Sequence, residues 1–258
     1  MKTSASEKPR ANMSDAEWQT RLNLAAAFRM GHQYGWNDNL GNHISARVPD
    51  APDQFLMNAH GYGWNEITAS SLVKADFNGN ILSHAPGEVF LQPAGYNFHS
   101  GILKARPDLA SVIHVHAMAG VVISATKSGL KVVDQAGCYL LGEVGYHNFE
   151  GFAQEEDEVP RMLADLGDKL TLIMWNHGLL SVGQTLGVAF SFMGRLITAC
   201  TIQERLMATG AEIREIPQEV KDVTEREIRK RRQDKSRSDR EWQMHFRTAQ
   251  SLFPDFQN

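Results

Sequence analysis

The chain has 258 residues, enough to bury a sizeable core as one large domain. With 42% hydrophobic and 22% charged residues and a net charge of −4, it offers no bulk electrostatic reason to bind nucleic acid or an anionic membrane. Two cysteines, Cys138 and Cys200, are too few for a disulfide framework and read as reduced thiols, so a cytoplasmic protein is expected.

Residues 1–14 are polar, lack an apolar signal region and read as a flexible leader; no run is expected to be long enough to span a bilayer. From Asp15, apolar residues at Trp18, Leu22, Ala25, Ala26 and Met30 have helical spacing, with Ser14 and Glu17 as a capping box and Gly35 as the stop. GNHISARV runs from a glycine and asparagine loop into a strand, and FLMN at 55–58 reads as another. TASSLVKAD is a turn or short helix leading to a strand. FNGNILS is a hairpin whose Asn78-Gly79 pair suits a two-residue turn. GYNFHSGILKARPD reads as a helix closed by Pro107, and SVIHVHA as a strand. AMAGVVISATKSG reads as a helix ending at Gly129, and residues 137–150 as strand and loop. EEDEVPRMLADLGD forms a helix, KLTLIMW a strand, NHG a tight turn and LLSVG a strand. Thr185 to Thr209 is the longest helical pattern. Small antiparallel strands with helices outside them predict a mixed α/β sandwich.

After about residue 211 both charge signs crowd together, with nine Lys or Arg and six Asp or Glu between 221 and 241. This extension reads as a solvated helix or extended arm. The aromatic residues beyond it, Trp242, Phe246, Phe253 and Phe256, suggest docking against the chain itself or a neighbouring subunit.

Within SVIHVHA, strand alternation puts His114 and His116 on one face and Ile113 and Val115 on the other. The pair reads either as core histidines bonded to backbone or as half of a metal site. His177, in an Asn-His-Gly turn after a strand, is the candidate third ligand. Three imidazoles leave coordination positions open, the pattern of a catalytic rather than a structural centre. His32, His43, His60, His84, His99, His147 and His245 read as surface or satisfied core groups.

GNHISARV at 41–48, EITASSLVKAD at 66–76, FHSGILKARPDLASVIHVHAMAGVVISATKSGL at 98–130 and WNHGLLSVG at 175–183 together resemble the class II aldolase and adducin family. The resemblance covers roughly residues 18–210 and divides the chain into the leader, a family domain at 15–210 and the extension at 211–258. It implies a three-layer α/β/α sandwich around a mostly antiparallel mixed sheet. It also implies a divalent cation, zinc first with manganese or iron(II) next, held by His114, His116 and His177.

The chain departs from the sugar-phosphate aldolases of the family where they carry Pro-Ser-Ser-Glu. Pro93 and Ala94 stand at the serine positions and Gly95 at that of the acid/base glutamate; no Glu or Asp occurs between Glu88 and Asp108. Asn58-Ala59-His60-Gly61 replaces the threonine-rich phosphate loop. A phosphate requires several convergent donors, so a non-phosphorylated carbonyl or carboxylate substrate is expected.

AGYNFHSGI, SATKSGL and LGEVGYHNFEG resemble the adducin head, a membrane-skeleton module without established catalysis. The expected function is a metal-dependent lyase, with decarboxylation ahead of aldol cleavage. An iron oxygenase acting on aromatic 2-oxo acids and an adducin-like scaffold are the alternatives. Tyr96, His99, Glu143 and His147 are the candidate proton-transfer groups, although Tyr96 also reads as packing and Glu143 as a cap or surface pair. Gly41, Asn42 and Gly95 are the candidate substrate-binding positions, Asn42 also suiting an Asx turn. The resemblance further implies a homo-oligomer, a tetramer favoured.

Overall fold

Helix α1 (Asp15–Gln33) begins where Ser14 Oγ accepts the Glu17 amide at 3.0 Å. The computed structural model describes residues 13–151, 157–231 and 236–258; most of the expected leader lies outside these. Only half of the expected capping box forms. The Glu17 carboxylate turns instead to Arg21 at 3.0 Å and Lys74 at 2.8 Å, since a buried carboxylate needs cationic partners.

Eight strands follow in one sheet: β1 (His43–Val48), β2 (Ala51–Met57), β3 (Val73–Asp76), β4 (Ile81–Ser83), β5 (Ser111–Val115), β6 (Val144–His147), β7 (Thr171–Met174) and β8 (Gly178–Gly183). Their order is β4-β3-β2-β1-β5-β8-β7-β6, and every pairing is antiparallel except β6 with β7. The β3–β4 connection is Phe77-Asn78-Gly79-Asn80, two residues longer than expected. Asp76 closes it, its amide donating to the Asn80 carbonyl and its carboxylate accepting the Asn78 and Asn80 amides, with Gly79 at φ 88°.

The remaining helices are α2 (Pro93–Ala105), α3 (Met118–Ser124), α4 (Gln135–Cys138), α5 (Glu158–Leu166), α6 (Leu186–Thr209), α7 (Gln218–Arg231) and α8 (Ser236–Leu252), followed by a 3-10 turn at Pro254–Gln257. Helix α3 stops five residues short of Gly129. The short α4, capped by Asp134, is an element the sequence reading did not anticipate.

Strand alternation sorts the two cores. Ile44, Ala46, Ile113, Val115 and Leu179 face the layer of α1, α3, α6 and α8. Val112, Leu172, Met174, Leu180 and Val182 face α2 and α5. The result is the three-layer α/β/α sandwich. His43, Ser45 and His114, on alternating positions of neighbouring strands, lie on the α2 side.

Helix α6 corrects one expectation: it is 24 residues long and apolar enough to cross a membrane by length and composition. Here it is a central packing helix, burying Ala189, Phe190, Met193, Leu196, Ala199 and Cys200 against β8, α3 and α8. The aromatic end docks on its own chain. Trp242 and Phe256 are buried in the α1/α6 core, and Phe246 and Phe253 pack against it.

Candidate metal centre

Strand β5 delivers His114 fully buried, paired in register with His43 on β1. The strand then ends, and the backbone N–H of His116 is caught by Asn42 Oδ1 at 2.7 Å. Asn42 is itself buried, and its side-chain amide donates to the backbone and side-chain oxygens of Asp38. A Cβ on Gly41 would lie 3.0 Å from His116 Cε1, so glycine leaves that ring its place. Gly41 and Asn42 therefore frame a ligand. The polar atoms of the Asn42 side chain, an expected substrate-binding group with Gly41, already have protein partners.

His177 comes from the turn between β7 and β8. Asn176 takes a left-handed φ of 56°, and the His177 amide donates to the Met174 carbonyl at 3.1 Å. A side chain at Gly178 would meet the Val115 carbonyl oxygen at 2.6 Å and His116 Cδ2 at 2.9 Å. The Asn-His-Gly order thus follows from one left-handed residue and one close approach to β5.

The three rings converge, with centroids 4.8, 4.8 and 4.9 Å apart and one nitrogen from each within 4.8 Å of the others. One partner fixes a tautomer: His114 Nδ1 donates to the Leu179 carbonyl at 3.0 Å, which leaves its Nε2 as a lone-pair acceptor. His116 Nδ1 lies 3.2 Å from Asp38 Oδ1, and the two Nε2 atoms face each other at 3.0 Å, an approach that a proton or a cation between them satisfies. Burial, followed by the neighbouring His177, holds His114 far below the ordinary imidazole range. Burial and His116 hold His177 at about 4. Convergent imidazoles oriented by a carbonyl and a carboxylate suit a divalent metal.

The structure separates the other candidates. Tyr96 turns away to donate to the Asp76 carbonyl at 2.8 Å and packs on Phe55. Glu143 is buried at the Val144–Thr171 end of the β6–β7 pair, whereas His177 follows the opposite end, so it is not brought to the rings. His147 is at the near end, but Asp165 at 2.8 Å and Glu158 at 3.2 Å take both its nitrogens. These three, of the expected proton-transfer set, are thus engaged or placed elsewhere. His99 does lie beside the centre, fully buried, with Nδ1 2.6 Å from Ser45 Oγ and Nε2 without a hydrogen-bond partner.

Gly95 packs against a histidine. A Cβ there would overlap the His43 ring at 2.7 to 2.9 Å. His43 stacks on His114 with centroids 5.8 Å apart. Its Nε2 donates to Gln92 Oε1 at 2.5 Å, leaving a buried Nδ1 without a hydrogen-bond partner. Burial, partly offset by the Gln92 bond, lowers its pKa to about 4. Asp38, Gln92 and His43 are thus the residues that the sequence did not single out. The one available signal was the His-x-Ser alternation of β1, which places His43 and Ser45 on one face.

Residues 22–204 match the family model for the class II aldolase and adducin N-terminal domain. The chain belongs to this family. A Pseudomonas aeruginosa protein named for the class 2 aldolases is 42% identical over 210 residues, covering 81% of this chain and 80% of the other. Alpha-adducin from Rattus norvegicus is 38% identical over 191 residues, covering 74% of this chain but 26% of the adducin. The crystal structure of an aldolase II superfamily protein from Pseudomonas syringae superposes with a TM-score of 0.89 at 37% identity, covering 96% of this chain and 99% of that one. The family includes metal-dependent lyases, generally requiring a divalent cation, and the non-catalytic adducins.

Proposed function

We propose that the protein is a divalent-metal lyase acting on a small, non-phosphorylated carbonyl or carboxylate compound, with decarboxylation ahead of aldol cleavage. The carrying observation is the convergence of the three rings, with His114 and His116 Nε2 3.0 Å apart and one nitrogen from each of His114, His116 and His177 within 4.8 Å of the others. His114, His116 and His177 would hold zinc first, with manganese or iron(II) also suited to an imidazole set. When bound, such a cation polarises a carbonyl or carboxylate and stabilises negative charge developing on its oxygen.

The chain's own residues favour decarboxylation. Aldol cleavage requires a positioned base to remove a hydroxyl proton. Tyr96, Glu143 and His147 are directed elsewhere, and His43 and His99 are buried and weakly basic. Decarboxylation breaks the C–C bond with carbon dioxide leaving and no proton removed; water can then protonate the carbon. The first turn of α2, Pro93-Ala94-Gly95, presents no hydroxyl to a phosphate, and the His43 ring fills the space beside Gly95.

Similarity to alpha-adducin favours a second reading, a scaffold that keeps the fold without turnover. Metal analysis of protein purified without chelator, followed by a panel of oxo acids and phosphorylated ketoses, separates the readings. The expected result is about one ion per chain, none in His114→Ala, and carbon dioxide release from an oxo acid. Equal metal in both proteins overturns the centre, and efficient cleavage of a phosphorylated ketose overturns the substrate class. Oxygen uptake that requires added iron would indicate an oxygenase instead, and a metal-loaded protein inert across the panel would favour the scaffold.

A further inference from the structure

A cavity of about 630 Å³ opens beside the histidine centre, lined by Ser124, Thr126, Lys127, Asn148, Trp175 and Asn176 together with Phe149 and Ala125. Two of its walls belong to the centre as well. Asn176 directly precedes His177, and the Phe149 ring stands edge-on to the His177 ring, centroids 6.1 Å apart. The floor is fixed. Trp175 stacks on Tyr146 at 4.7 Å, and its amide donates to the His147 carbonyl at 2.8 Å.

The polar groups of the lining divide into two kinds. The Ser124 and Thr126 hydroxyls donate to carbonyls of their own segment, Val121 and Ile123, each at 2.8 Å. The Asn176 backbone N–H donates to the Ser124 carbonyl at 3.0 Å, tying the end of α3 to the histidine turn. Among the described residues, the Lys127 ammonium and the Asn148 and Asn176 side-chain amides have no hydrogen-bond or ion-pair partner. No carboxylate among the described residues lines the cavity. One cation and two amides between aromatic walls, with no opposing carboxylate among the described residues, form an anion-accepting environment.

We propose that this cavity is a second subsite for a dicarboxylate-class substrate, with one carbonyl or carboxylate end at the histidine centre and the distal carboxylate received by Lys127, Asn148 and Asn176. The proposal rests on the metal-centre reading for its first end and extends it to the far end of the ligand.

The test uses zinc-loaded, full-length protein and calorimetric titration with the α,ω-dicarboxylates from succinate to suberate. Monocarboxylates of matching chain length are titrated in parallel. At the length that spans both sites, the dicarboxylate is expected to bind about tenfold more tightly, the scale of one charge-assisted contact. Lys127→Met is expected to reduce that preference to near unity with zinc content retained. Asn148→Asp, which adds a negative charge to the same lining, is expected to weaken the dicarboxylate too. Equal affinity of the two ligand classes in wild-type protein overturns the subsite, as does a preference that survives Lys127→Met. Monocarboxylate binding that ignores zinc removal by chelation overturns the reading of the centre instead. No binding by any probe overturns both.

Discussion

Four imidazoles around the centre, His43, His99, His114 and His177, are held neutral by burial and by one another. Their folded pKa values lie below that of a free histidine, about 6.5, with His43 and His177 at about 4. Above the unfolded value both states leave these rings uncharged, so they add no pH dependence. As pH falls from about 6.5 toward 4, the unfolded chain takes up protons that the metal-free folded chain refuses, and stability falls by up to about 1.4 kcal/mol per pH unit for each such ring. Urea unfolding of chelator-treated protein at pH 7.5, 6 and 5 is the check. A midpoint that stays constant across that series would contradict the buried, neutral cluster. At this scale His114, His116 and His177 were legible because H-x-H in a strand and Asn-His-Gly in a turn are local patterns. His43 was not, because a single histidine in an alternating strand carries no mark of the neighbour across the sheet. Tyr96, Glu143 and His147 misled for a related reason. Closeness along the chain does not tell which end of β6 or which side of α2 meets the rings.

Among the elements, the C-terminal extension divides as its composition does. The charge-rich α7 is mostly exposed, whereas α8, which carries Trp242 and Phe246, lies on α1 and α6. Trp242 explains the docking: it is buried, its Nε1 donates to Asn23 Oδ1 at 2.9 Å, and its ring meets Phe190 at a centroid distance of 5.3 Å. Gly187 makes the approach possible, since a Cβ there would lie 2.8 Å from Trp242 Cβ. Trp242→Ala is therefore expected to destabilise the whole fold by about 3–5 kcal/mol, the usual result of emptying a large aromatic site in a core. Denaturant unfolding measures it, and a loss below about 0.5 kcal/mol, the surface-substitution range, would return the extension to a peripheral arm. The helical and strand periodicities located all eight strands and most helices in advance. The failures, α4 and the early end of α3, lie where a four-residue or seven-residue helix is too short to show a period.

For the whole molecule, several of the exposed apolar side chains lie on the loops that build the centre. Leu40 precedes Gly41, Met118 follows His116 by two residues at 73% exposure, and Phe149 stands on His177. Tyr62 and Phe90 flank the His60 loop, where the His60 amide donates to the Phe90 carbonyl at 2.8 Å. Scattered exposed apolar residues need no explanation, but a group of them around one site marks a surface that another molecule covers. A small substrate in an open cleft leaves most of such a rim wet, whereas a second copy of the chain removes it from water. We propose that the rim is a subunit contact in a homotetramer, so that each centre opens beside a neighbouring chain. Light scattering on the metal-loaded protein should give about four chain masses, and Met118→Asp should lower that mass, because a carboxylate buried in a subunit contact costs several kcal/mol per site. The His centre of the variant should retain its zinc, since Met118 contributes no ligand atom and the rings are oriented by Leu179, Asp38 and Asn42 from within one chain. A wild-type protein that remains a monomer at micromolar concentration would assign the apolar rim to the ligand instead of to a second subunit.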